Sequence, residues 1–231
     1  MSLGLAWRIA RRELRGGLRG FGVFLACLAL GVAAIASVGM VRSAIEAGLT
    51  DQGSVLLGGD AQVEFTYRFA TPEERAYLAQ ISDQVSEIID FRSMAVAGES
   101  HVLTQVKAVD AAYPLLGTVE IEQGVFPAVL DGADGVPGAV MDGVLADQMG
   151  LALGARFKLG LQEFVLTARL LREPDSATGG FALAPRTMVR LADLKNAGLL
   201  EPGTLFDSSY RLALPQGTDL AALEAQAESR F

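Results

Sequence analysis

FGVFLACLALGVAAIASVGMV, from Phe21 to Val41, is 21 residues long and contains no charged side chain. At about 1.5 Å of rise per residue it forms a helix of roughly 30 Å, the thickness of a bilayer's hydrocarbon core. The stretch reads as a transmembrane helix over 21–41, and the rest of the chain lies to one side of it or the other.

The flanks give it a direction. The first twenty residues carry Arg8, Arg11, Arg12, Arg15 and Arg19 against Glu13 alone, whereas residues 42–60 carry Arg42 against Glu46, Asp51 and Asp60. The positive-inside rule then leaves the N-terminus in the cytoplasm and residues 60–231 outside it. Ala34-Ile35-Ala36 before Ser37 also resembles a signal-peptidase site. A signal peptide's apolar region runs about 7–15 residues, however, and this one is longer and follows a long basic lead-in.

The five arginines fall along one helical stripe, and Trp7, Ala10, Leu14, Leu18 and Phe21 fall along another. Segment 1–20 is thus expected to be a basic amphipathic element on the cytoplasmic membrane face, with Trp7 at the interface and the arginines against anionic lipid. Within the span, Gly22, Ala26, Ala29, Ala33 and Ser37 line one face. Small faces let helix backbones approach closely in lipid, so this face is expected to pack against further spans.

Removing the five arginines and one glutamate of the first 41 residues from the chain's 19 basic and 27 acidic side chains leaves 14 and 26, a net of −12. An acidic outer domain repels nucleic acid. The only cysteine, Cys27, lies in the span, so the outer domain has no internal disulfide. A single histidine, His101, argues against a zinc site of the usual ligand set. Asp131-Gly-Ala-Asp134-Gly is not an EF-hand loop and reads as a solvated turn.

Residues 42–59 read as a helical extension and linker ending at Gly58-Gly59. Ala61, Val63, Phe65, Tyr67 and Phe69 then alternate with polar residues, the pattern of a strand with one buried face. Thr71-Pro72-Glu73-Glu74 opens a helix with a capping box. Strands are expected over Val85–Met94 and Val102–Val109 around a turn at Gly98, and a short helix over Gly143–Met149 stopped by Gly150. A hairpin of Ala155–Leu159 with Phe164–Leu171 follows, then an extended run over Phe181–Val189. A helix near Leu191–Ala197, a strand near Phe206–Leu214 and a final amphipathic helix from about Asp219 complete the order. The fold class is α+β: one transmembrane helix, then a split βαββαβ domain with an inserted β-rich subdomain. Its parts are 60–118 and 191–231 for the two halves and 119–190 for the insertion.

Enzyme motifs are missing. No Gly-Lys pair occurs and hence no P-loop, nor does GxGxxG, HExxH or CxxC. Gly98-Glu-Ser100-His101-Val102 lacks the second glycine of a nucleophile elbow, and its serine and histidine are neighbours on a strand edge that point to opposite faces. No catalytic, metal or cofactor residue is assigned.

Arg12-Glu13-Leu14-Arg15-Gly16-Gly17-Leu18-Arg19-Gly20 with the span after it, and then Leu56-Leu57-Gly58-Gly59-Asp60, resemble the start of a permease subunit of the FtsX-like, MacB-type ABC transporter family, closest to its YbbP-like branch. The resemblance continues in Lys107-Ala-Val-Asp110-Ala-Ala-Tyr113-Pro114, Leu145–Gly154, Arg172-Glu173-Pro174-Asp175 and Gly179-Gly180-Phe181-Ala182-Leu183. It implies a porter-like α/β domain with an inserted β-rich part. It also implies a bacterial inner-membrane location, a separate ATPase subunit that binds the ATP, further permease spans, and in some members an envelope protein as partner. Work on lipids, lipoproteins or hydrophobic compounds is implied as well. Because the family has spans after the outer domain, the chain is expected to be the N-terminal part of such a permease. A reading from a different class is a single-span envelope sensor or scaffold whose outer domain binds a partner or ligand.

Overall fold

The computed structural model describes Trp7 and residues 22–43, 45, 57–175, 184–195, 197–201, 203–228 and 230. The chain divides into two compact units, Met1–Asp51 and Gln52–Phe231. In the first, helix α1 spans Gly22–Ser43, with its side chains exposed and its length and composition sufficient to cross a membrane. Trp7 is helical and exposed, whereas the five arginines of the expected amphipathic segment lie outside the described residues.

The second unit holds β1 (Ala61–Thr66), α2 (Pro72–Ile81), β2 (Gln84–Ala97), β3 (Ser100–Val109), β4 (Glu120–Ile121), β5 (Gly138–Asp142) and α3 (Gly143–Met149). It continues with β6 (Arg156–Leu159), β7 (Gln162–Arg172), β8 (Arg186–Arg190), β9 (Phe206–Ala213) and α4 (Leu220–Glu228). The first half has the split arrangement, since β9 inserts antiparallel between β1 and β2, and β2 pairs with β3 as a hairpin. Helix α2 starts where the sequence signals it. Thr71 Oγ1 accepts from the Glu74 N–H at 3.2 Å and Glu74 Oε2 accepts from the Thr71 N–H at 2.7 Å, an arrangement worth about 1 kcal/mol. The helix buries Leu78 against Phe65, Tyr210 and Leu212.

Among its described residues, segment 119–190, read from sequence as an insertion, builds no separate sheet. Its strand β8 runs parallel to β3, and the hydrogen-bonded order continues β8-β5-β7-β4. Strand β6 pairs with β7 on one side and with Ala95 and Val96 of β2 on the other. The path β2-β3-β8-β5-β7-β6 therefore returns to β2 as a closed six-stranded ring. Its largest core cluster includes Phe91 and Ala95 from β2, Val106 from β3, Met141 from β5, Phe157 and Leu159 from β6, Phe164 and Leu166 from β7 and Val189 from β8. Closure protects strand edges that the inserted segment would otherwise expose.

Two local expectations are corrected. The alternating run from Ala61 stops at Thr66, because Tyr67 takes φ 61° and its side chain is 59% exposed rather than on the buried face. The helix expected near Leu191–Ala197 is one 3₁₀ turn over Leu191–Leu194. The Ala197 N–H bonds the Leu194 carbonyl three residues back at 3.0 Å, the spacing of a 3₁₀ rather than an α turn. By contrast, α3 has the expected bounds, with Gly150 in the left-handed conformation at its C-terminus.

Candidate functional site

The sequence offers no catalytic constellation, but the strands of the outer domain carry single charges in the middle of apolar runs. Lys107 stands between Val106 and Ala108, and Arg211 between Tyr210 and Leu212. Alternation turns both away from their neighbours' side of the strand. The fold collects them with side chains from four other segments.

Lys107 Nζ on β3 donates to Glu173 Oε2 at 2.8 Å and to Asp175 Oδ1 at 2.6 Å, just beyond β7. Arg186 on β8 reaches Glu173 Oε1 at 2.9 Å through Nε and Asp90 Oδ1 on β2 at 2.9 Å through its terminal nitrogen. Arg211 on β9 lies 2.9 Å from Asp175 Oδ2. The Tyr113 hydroxyl donates to Asp175 Oδ1 at 2.8 Å, and its ring lies 4.9 Å from Lys107 Nζ. Three cations thus meet three carboxylates, and Lys107, Glu173, Asp175, Arg186 and Arg211 are all buried. Beside them opens a polar pocket of about 270 Å³ lined by Gln62, Gln105, Asp207 and Ser209 among others.

Burial alone would raise the pKa of Asp175, but Lys107 and Arg211 outweigh it and hold the carboxyl below its usual value. Asp90 goes the other way: burial raises it, and the attraction of Arg186 does not compensate. Burial and the neighbouring Asp175 carboxylate also push the Tyr113 hydroxyl up. Lys107 Nζ is engaged by two carboxylates and lies against the Tyr113 ring. The arrangement holds β2, β3, β8, β9 and the leg after β7 in one register.

The segment just before β1 meets this cluster. Gly58 has φ 68°, and a Cβ there would lie 2.9 Å from an Arg211 terminal nitrogen and 3.2 Å from Asp175 Cβ. Two residues on, the Asp60 N–H donates to the Leu212 carbonyl at 2.8 Å, and Asp60 Oδ2 accepts from the Leu214 N–H at 2.8 Å. The chain therefore enters the outer domain beside the end of β9, where it leaves toward α4.

The residues singled out from sequence as a helix-packing face, Gly22, Ala26, Ala29, Ala33 and Ser37, all lie on α1 and are exposed. Ser37 Oγ donates to the Ala33 carbonyl at 2.7 Å, so its hydroxyl is satisfied within the helix. Ser100 and His101 open β3 at a two-residue turn, Gly98-Glu99. Asp131 pairs with Arg190. Among the described residues no group of three or more His, Cys, Asp or Glu side chains converges as a metal site would. The charge cluster was missed from sequence, although lone basic residues inside strand-like apolar runs are the signal that points to it.

Residues 21–230 match the family model for the MacB-like periplasmic core domain. The chain is 28% identical over 187 residues to the uncharacterized ABC transporter permease YbbP of Escherichia coli strain K12, a match covering 80% of this chain and 22% of that relative. Among solved structures, the extracellular domain of the noncanonic ABC-type transporter YknZ from Gram-positive bacteria aligns at TM-score 0.47 and 14% identity, covering 70% of this chain and 78% of that one. The periplasmic region of MacB from Actinobacillus actinomycetemcomitans aligns at TM-score 0.48 and 10% identity, covering 77% and 85%. The apolar helix and the periplasmic family together indicate a membrane-anchored chain with an extracytoplasmic domain. With the family model matched from the membrane helix to α4, the chain belongs to the family of proteins that carry the MacB-like periplasmic core domain.

Proposed function

We propose that this chain is the N-terminal part of the membrane subunit of an ABC transporter of the MacB type. In this reading a separate ATPase subunit binds and hydrolyses ATP on the cytoplasmic side, and further spans complete the permease. The outer domain moves in response, to export or extract a lipid, a lipoprotein or another hydrophobic compound. The chain itself carries out no chemistry.

The observation that carries the reading is the family match, which takes in the membrane helix and the outer domain alike. The E. coli relative is named a permease, and this chain corresponds to 22% of its length, which leaves room there for further spans. The Asp60 contacts to Leu212 and Leu214 support mechanical coupling, because a pull on the entering linker acts directly on the strand that leads out. No Gly-Lys pair is present in the sequence, so ATP binding is assigned to the partner subunit.

Topology is tested with single cysteines in a Cys27→Ala background. Gln148→Cys, exposed on α3, should react with a membrane-impermeant maleimide in intact cells, and Ser2→Cys should react only after lysis. The reverse pattern, or equal labelling, overturns the orientation. ATP turnover by the purified chain above that of a contaminant control would overturn the division of labour between subunits.

A further inference from the structure

Strand β1 ends the hydrogen-bonded path, and among the described residues it pairs with β9 alone. Directly after it, Tyr67 donates its N–H to the Phe206 carbonyl at 2.8 Å. Hydrogen-bonded and non-hydrogen-bonded pairs alternate along an antiparallel ladder. Val63 and Phe65 therefore share the inward set with Tyr67, and Gln62, Glu64 and Thr66 turn their N–H and C=O groups to the free side. Natural edge strands are usually blunted by proline, lysine or a bulge. The sequence AQVEFT has no proline or lysine, and its register with β9 is unbroken from Ala61 to Thr66.

A cleft of about 430 Å³ opens at this edge. One wall is Asp60 to Glu64 along β1, and Leu212 of β9 and Ile81 of α2 also line it. The opposite wall is Leu220, Leu223, Glu224 and Ala227, spaced as one face of α4. Leu220 is 55% exposed. All the charged side chains lining the cleft, Asp60, Glu64 and Glu224, are acidic.

We propose that the cleft takes an extended peptide segment of a partner protein, rich in alternating apolar and basic residues, which adds to the sheet as a strand beside β1. The outward N–H and C=O groups of Gln62, Glu64 and Thr66 supply the main-chain bonds. Alternate apolar side chains fill the space against Leu220, Leu223 and Ala227, and the basic ones, on the other face of the added strand, meet Glu64, which alternation turns away from the Val63 side of β1. A second copy of this chain fits poorly, since it would bring the same acidic rim against this one. The proposal stands apart from the permease reading, because it concerns only a strand edge and the groove beside it.

The test uses the full chain in an uncharged maltoside detergent and a fluorescein-labelled peptide of eight residues alternating Val and Lys. The peptide should bind, seen as a rise in anisotropy, and should slow amide hydrogen exchange at Gln62, Glu64 and Thr66. Glu64→Pro removes one outward N–H while leaving the β9 ladder intact, and should weaken binding at least tenfold, as should Leu223→Asp. The charge reversal Glu64→Lys should weaken the Val-Lys peptide by a similar factor and create binding of a Val-Glu peptide, so the proposal stays testable if the proline variant does not fold. Absence of binding, binding unaffected by these changes, equal binding of the two peptides to the unaltered chain, or a dimer formed through β1 would each overturn it.

Discussion

Lys107 and Asp175 lie 68 residues apart in sequence and 2.6 Å apart in the fold, with side chains 3% and 0% exposed. Their contact ties a hairpin strand of the first half of the domain to the leg that follows β7. Removing one partner leaves charge where water cannot solvate it.

Lys107→Met should therefore strip both Glu173 and Asp175 of their shared cation and lower the unfolding free energy of fragment 52–231 by about 3–5 kcal/mol. Arg156→Met, which breaks an ion pair whose side chains are 52% and 39% exposed, should cost no more than about 1 kcal/mol. Urea denaturation of the two variants makes the comparison. Equal losses would show that the cluster contributes no more than a surface pair.

Gly58→Ala and Gly98→Ala separate backbone strain from contact with the cluster. Both glycines have positive φ, 68° and 56°, so both substitutions carry a left-handed cost of about 1–2 kcal/mol. A Cβ at Gly98 meets nothing within 4 Å, whereas at Gly58 it meets Arg211 and Asp175. Arg211 can give way only by disturbing its 2.9 Å contact with Asp175. Gly58→Ala should accordingly cost at least about 1 kcal/mol more than Gly98→Ala in thermal or urea unfolding.

Acid stability should carry the signature of Glu74, whose hydrogen bond to Arg68 lowers its pKa to about 2 against burial that raises it. The folded value lies below the unfolded one of about 4.3, so the stabilisation is complete above that pH and is lost as pH falls toward 2. Glu74→Gln keeps a capping-box side chain and removes the charge. The stability difference between the unaltered fragment and this variant should shrink as pH drops from about 4.3 to 2. A constant difference across that window would mean that the ion pair does not survive in solution. Asp175 has the same sign, and Asp90, with its raised value, contributes in the opposite sense as pH rises.

Ala33→Phe in the complete permease should weaken assembly or transport, because a bulky ring on the face of Gly22, Ala26, Ala29, Ala33 and Ser37 separates backbones where lipid gives no compensating gain. Val32→Phe, about 100° around the helix, should be tolerated. Fragment 52–231 contains neither residue, so its melt serves as the unchanged reference for the outer domain. Like behaviour of the two variants would make α1 a passive anchor.

Sequence alone determined what is local. An uncharged run of 21 residues defines α1 because a bilayer requires that length. Thr71 and Glu74 define the start of α2 because the cap is made by residues three apart. Gly150 defines the end of α3, and the alternation around Gly98 defines the β2–β3 hairpin. The tertiary structure decided what depends on distant pairing. Nothing in the run Arg156–Leu159 says that it will bond β2 as well as β7 and close a ring, since either edge of a strand is equally able to pair. Nor does the sequence say that Lys107, Glu173, Asp175, Arg186 and Arg211 will meet, because β3, β8, β9 and the leg after β7 each place their own members and only the register between strands brings the charges within 3 Å. Tyr67 marks the same boundary from the other side. Its place in an alternating run called for burial, but the chain must leave β1 there to reach the α2 cap, and that turn exposes it.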